Sequence, residues 1–258
     1  MRKLHLKCNR NNVPVLSNRE IDDVIGTILR DYNPRLLTDP QPLNVEDFVE
    51  CYLGLHTCYA DLSHSGCVLG MMVFVDGPVY LYDKERREVY EELVKANTVL
   101  IDSGLSSNRE HALRSTLGHE GVHYIIHPDY YICNFRQHRF PLGHEEKQMD
   151  DQPRMDEKTG GFSFCCKRHV LCERDEPKKL KTDKDWIEHQ AKYGSASALM
   201  PEAAMKIVMS DLNSLPEDTL AAEVSKIFNV SLKSAKYRIK DLRKVHADSQ
   251  PLRQIELF

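Results

Sequence analysis

At 258 residues and 41% hydrophobic content, the chain holds enough apolar material for one large domain or a domain with an appendage. A net charge of −4 with 29% charged residues carries no global signal for nucleic-acid or membrane binding. The basic start, Met1-Arg-Lys, has no apolar run behind it, and no run of about eighteen apolar residues occurs, so the expectation is a cytoplasmic protein without signal peptide or membrane span. Its eight Cys are then expected to be mostly thiols.

Met1 to Val13 reads as a short polar tail or a first edge strand, with no function assigned. Ser17-Asn-Arg-Glu20 is a capping box that opens a helix with Ile21, Val24, Ile25, Ile28 and Leu29 on one stripe, ended by Asn33-Pro34. Pro40 and Pro42 mark a linker before a second short helix, Val45 to Leu53. From Gly54 to Asp102 the period becomes strand-like. Leu55 to Leu62, Cys67 to Val75, Val79 to Tyr82 and Thr98 to Asp102 are the predicted strands, with Asp76-Gly77 as a hairpin turn between the second and third. Cys51, Cys58, Cys67, His56 and His64 are spread over these elements and read as packing or surface residues.

A second capping box, Ser107-Asn-Arg-Glu110, starts a stretch free of proline until Pro128, and within it stands His119-Glu120-Gly-Val-His123. On a helix the two His lie one turn apart on one face, where both imidazoles reach a single metal ion, and Glu120 sits beside them. Two nitrogens, a third donor and an open corner for water describe a zinc hydrolase, with the carboxylate of Glu120 as the base that takes the water's proton. Tyr124 and His127 complete the helix, as donors to a developing oxyanion or ligand-supporting groups; the alternative for His127 is a plain C-terminal cap. An exposed strand beside such a helix, at the Asp76 hairpin or the Thr98 strand, would pair with extended substrate backbone; core strands are the other reading.

Residues 128–182 read as an irregular insertion placed to act as a lid, with Asp129 to Cys133 as a strand and His144 to Gly161 as a charged exposed loop. Within it, Cys166, His169 and Cys172 offer a second metal site with Cys133 or Cys165 as fourth ligand; ordinary thiols or a redox pair are the alternatives. The third donor for His119 and His123 has to come from elsewhere, and Glu188 is the candidate. It stands on the first turn of a helix opened by Asp183 or Asp185 and stopped at Pro201. Pro201 to Leu212 is a further helix. Leu220 to Leu242, with a turn at Asn229 capped by Ser231, has the form of a helix-turn-helix whose second helix carries Lys233, Lys236, Arg238, Lys240, Arg243 and Lys244. Those cations are candidates for DNA phosphates; packing on the protease core is the alternative.

Arg114-Ser-Thr116-Leu-Gly-His119-Glu120-Gly-Val-His123-Tyr-Ile-Ile-His127, followed by Glu188, Ala191 and Leu199-Met-Pro201, resembles the ImmA/IrrE family of metallo-endopeptidases from about Val13 to Leu242. The resemblance implies an α+β, zincin-like domain of the gluzincin type over residues 1–212, a helix-turn-helix-like segment over 213–247 and a tail over 248–258. It implies zinc on His119, His123 and Glu188 with Glu120 as base, and a specific protein substrate such as a transcriptional repressor, hence a part in transcription regulation. The chain departs from the family at Gly121, Lys192 and Gly194, where a leucine, a short polar residue and a phenylalanine are usual. These departures support a second reading, a non-catalytic DNA- or protein-binding regulator with a weak or empty metal site. Substrate identity and oligomeric state are not readable from the sequence.

Overall fold

The computed structural model describes residues 4, 6–105, 109–139, 164–167 and 180–248, and is of the mixed α+β class. The chain divides into two compact units, Met1–Val15 with Asn44–Ser195, and Leu16–Leu43 with Ala196–Phe258. The expected boundary at residue 212 therefore falls inside the second unit. Among the described residues no helix is long and apolar enough to cross a membrane.

In the first unit a four-stranded sheet is built on β5 (Thr98–Asp102), every residue of which is buried. Its run Thr-Val-Leu-Ile suits a strand covered on both faces. β1 (His56–Ala60) pairs with it in parallel, β2 (Val68–Val73) antiparallel on the other side, and β6 (Phe164–Lys167) antiparallel along the outer edge of β2. β3 (Gly77–Asp83) and β4 (Glu88–Val94) form a separate antiparallel hairpin.

This corrects one expectation. Asp76-Gly77 is not a hairpin turn, because the strands on either side of it belong to different sheets. Asp76 instead accepts hydrogen bonds from the backbone N–H of Ala96 (2.8 Å) and from Lys95 Nζ (2.9 Å). The true turn lies between β3 and β4, where Asp83 Oδ1 accepts from the N–H groups of Glu85 and Arg86 and Arg87 takes a left-handed φ of 57°. Exposed, acidic β4 has no apolar run to announce it. Strand alternation then sorts β2: Met71 and Val73 join Leu62, Val79, Leu81 and Leu100 in one cluster, while Gly70 faces the opposite side.

That opposite side is covered by α4 (Glu110–Ile126), which carries the His119-to-His123 motif; the cap residue expected for it, Ser107, lies outside the described residues. A short helical segment, α3 (Val45–Asp47) continuing into a π-turn over Phe48–Tyr52, packs beside α4, with Val49 and Leu53 close to Gly121. Asp129 to Cys133, expected as a strand, is instead the start of α5 (Pro128–Arg139). Pro128 lacks the N–H that a first helical residue leaves unsatisfied anyway, and its fixed φ suits the first turn. α6 (Asp183–Leu199) begins as expected, but its cap is Thr182: Thr182 Oγ1 accepts from the Asp185 N–H (3.1 Å) and the Asp185 carboxylate accepts from the Thr182 N–H (3.1 Å).

The second unit contains α1 (Asn18–Tyr32), α2 (Arg35–Thr38), α7 (Glu202–Asp211), α8 (Glu217–Phe228) and α9 (Leu232–Asp248). The predicted capping box of α1 is present, Ser17 and Glu20 exchanging both bonds. α8 ends at Asn229 in the left-handed region (φ 50°), and Ser231 Oγ accepts from the Ser234 N–H to start α9. Here Arg238 needs correcting. Expected on the basic solvent face, it is 1% exposed, since it shares the 3.6-residue period of the buried Ala235 and Leu242. Its Nη2 lies 2.6 Å from Asp22 Oδ1 on α1, its Nε donates to the Met200 carbonyl at 3.1 Å, and Ser197 Oγ donates to Asp22 Oδ1 at 2.5 Å. Arg238 is thus spent on a buried ion pair and is not available to phosphate.

A buried pair is costly to break from one side, because the remaining charge stays without compensation. Arg238→Ala should lower the stability of the chain by about 3–5 kcal/mol in urea denaturation. The double substitution Asp22→Leu/Arg238→Met should recover much of that loss; equal losses in both would contradict the pairing.

Candidate metal centre

α4 sets His119, His123 and His127 on one stripe at successive helical turns, and the stripe faces inward: the three side chains are 8%, 2% and 0% exposed. Imidazoles placed there must find partners for their nitrogens. His119 Nε2 and His123 Nε2 face each other at 2.9 Å. Glu188, on the first turns of α6, brings Oε2 to 3.5 Å from His119 Nε2 and Oε1 to 3.7 Å from His123 Nε2. α6 is held in that position by Ser195 Oγ, which donates to the Ser115 carbonyl of α4 (3.2 Å), and by Asn9 Nδ2 and Asn11 Nδ2 of the N-terminal segment, which donate to Asp183 at 3.0 and 2.5 Å.

Three donor atoms, two nitrogens and one oxygen, thus lie within 4.8 Å of one another. Ligands about 2.0–2.1 Å from a tetrahedral ion are separated by about 3.3–3.4 Å, and the observed edges of 2.9, 3.5 and 3.7 Å bracket that value. The set fits a divalent ion, and three protein ligands leave a fourth position open. No protein-family model matches the chain, and no curated protein does.

The environment keeps His123 in the form a metal needs. Burial, with His119 and His127 alongside, pushes His123 well below the usual imidazole range. Burial likewise lowers His127 to about 4, against the opposing effect of its hydrogen bond to Gln190. Neutral imidazoles at neutral pH have a lone pair to give. Glu120, fully buried, lies where α4 meets β2: a Cβ added to Gly70 would stand 3.1 Å from Glu120 Oε1 and only 2.4 Å from Thr116 Cγ2. The close approach of β2 to the motif helix thus requires glycine at position 70.

His119, His123 and Glu188 are brought together as the sequence suggested, and Glu120 adjoins them on α4. His127 turns to His123 and Gln190, with Nδ1 3.2 Å from His123 Nδ1 and Nε2 2.9 Å from Gln190 Oε1, while Tyr124 is half-buried on the same helix. Lys192 is on the exposed side of α6. Of the second cysteine-rich group, Cys165 and Cys166 fall in β6, whereas His169 and Cys172 lie outside the described residues. Lys233, Lys236 and Lys240 are exposed on α9 in the second unit, and Lys236 is paired with Asp218 at 2.6 Å. Sequence reasoning missed Gln190, Tyr131 and Gly70. An amide two residues from Glu188 on an otherwise Ala-rich helix was the available signal for Gln190; Gly70 had none.

Two glycines allow direct tests of this packing. Gly70→Ala should destabilise by about 1–3 kcal/mol, and adding Thr116→Ser, which removes the clashing methyl, should restore part of it. An additive double mutant would contradict the contact. At Gly121 an added Cβ meets Leu53 at 3.4 Å and Val49 at 3.5 Å, ordinary contact distances, so Gly121→Ala should stabilise by about 0.5–1 kcal/mol through helix preference alone. A lowered unfolding midpoint would refute that packing.

Proposed function

We propose that the chain is a zinc-dependent endopeptidase of the zincin type with a regulatory role, cutting a specific protein such as a transcriptional repressor. The observation that carries this reading is the convergence of His119, His123 and Glu188 on one point, with a carboxylate, Glu120, next to the first ligand in the chain. A purely structural ion would be closed by a fourth protein ligand and would have no use for an adjacent base. When bound, zinc supplies a Lewis acid and a water of lowered pKa. The protein's own part is to hold two imidazoles and one carboxylate in place, to keep Glu120 out of bulk solvent, and to use it as the acceptor of the attacking water's proton. Glu120 then returns that proton to the leaving amine. The resemblance to the ImmA/IrrE family supports the same assignment of roles.

DNA contact through the second unit is a subsidiary proposal, supported by α8, the turn at Asn229 and the exposed Lys233, Lys236 and Lys240. It is weakened by the burial of Arg238 and by the pairing of Lys236 with Asp218 and of Arg243 with Glu217 at 2.5 Å.

The test is a comparison of wild type with Glu120→Gln and with His119→Ala/His123→Ala, measuring zinc by elemental analysis and intact target proteins by whole-cell proteomics. Glu120→Gln should keep about one zinc per chain and lose cleavage by about 10²-fold or more. The double His variant should lose both. Cellular function that survives Glu120→Gln would overturn the enzyme reading in favour of a binding regulator.

A further inference from the structure

The polar atoms around His123 form a line that ends on a group with only one possible role. Pro14 presents a backbone carbonyl, which can only accept, and Gln190 lies 2.7 Å from it through Nε2. The amide of Gln190 is thereby oriented, and its other atom, Oε1, also only accepts. His127 Nε2, 2.9 Å from that oxygen, is therefore the donor. A second proton on this ring would make a cation at a fully buried position, so His127 Nδ1 is left with its lone pair. His123 Nδ1 stands 3.2 Å away and must be the partner that donates. The remaining contact of His123 Nδ1, Tyr131 Oη at 3.4 Å, is longer and takes only a minor share of the same proton. The proton of His123 being on Nδ1, its Nε2 lone pair points at His119 and Glu188.

We propose that Gln190 and His127 are positioning residues that fix the tautomer of His123, through a hydrogen-bonded chain anchored on the Pro14 carbonyl. The proposal rests on the reading of His119, His123 and Glu188 as a metal site. It gives the N-terminal segment a purpose: the turn that carries Pro14 and ties Asn9 and Asn11 to Asp183 also terminates the support line of a ligand. It also separates His127 from a helix cap, since its ring nitrogens are committed to His123 and Gln190. Supports of this kind commonly change metal affinity by about 10–100-fold when removed.

The experiment reads ring protonation directly. Long-range proton–nitrogen correlation spectra of the histidine rings would be recorded on isotopically labelled, full-length protein, first metal-free and then loaded with zinc. Wild type should show His127 protonated at Nε2 and His123 at Nδ1 in both states. Gln190→Leu should release His127 into the other tautomer and weaken zinc binding about 10–100-fold in competition with a chromophoric chelator. Gln190→Glu, which keeps an oxygen toward His127 and as the acid can still donate to Pro14, should retain both the tautomer and near wild-type affinity. His127 protonated at Nδ1 in wild type would overturn the proposal, as would Gln190→Leu with unchanged tautomer and affinity, or Gln190→Glu behaving like Gln190→Leu. Because the metal-free spectra do not depend on zinc, a wild type that binds none would refute the metal-site reading while the tautomers still judge the chain of hydrogen bonds.

Discussion

Three imidazoles on the buried face of one helix impose the constraint from which the rest of the first unit follows. A histidine ring taken out of water must place two nitrogens, and a row of three at successive turns of α4 presents six. His119 and His123 turn theirs toward each other and toward Glu188, and the far nitrogen of His123 is passed to His127, then to Gln190 and finally to a backbone carbonyl. The polar line is thus closed inside the protein at one end and open to a ligand at the other. The sheet serves it by covering α4 with a strand that carries no side chain at Gly70, and α6 serves it by delivering both Glu188 and Gln190.

Much of this was legible in the chain. Local signals work where the physics is local: the Ser17–Glu20 box, the proline stops at Pro34 and Pro201, and the one-turn spacing of His119 and His123 each require only neighbouring residues. The misreadings are of another kind. β4 is exposed and acidic, and its Val89, Tyr90 and Val94 form no alternating apolar face, so its pairing with β3 is not announced by a buried side. Tyr130-Tyr131-Ile132 has strand-like chemistry, yet tertiary packing of Tyr131 on Phe74, with ring centroids 4.6 Å apart, holds it on a helix. Gln190 and Pro14 are joined across 176 positions of sequence, a pairing visible only in three dimensions.

Arg238 illustrates how charge misleads when the period is ignored. Its neighbours Lys233, Lys236 and Lys240 are solvated, but the 3.6-residue repeat places Arg238 with Ala235 and Leu242, and the buried carboxylate of Asp22 receives it. The pairing joins α1 to α9 within one compact unit across 216 positions of sequence. Gly121 sits where the Val49 and Leu53 side chains leave room for little more than a methyl group, and Lys192 is exposed while Gln190, two residues earlier on the same helix, is hydrogen-bonded to His127.

Whether one divalent ion is held by two imidazole nitrogens and one carboxylate is read most directly by X-ray absorption at the zinc edge of the loaded, full-length protein. An ion on His119, His123 and Glu188 would give only nitrogen and oxygen neighbours at about 2.0–2.2 Å, with the outer-shell scattering of two imidazoles. A sulfur shell at about 2.3 Å would place the ion on cysteines and refute that site.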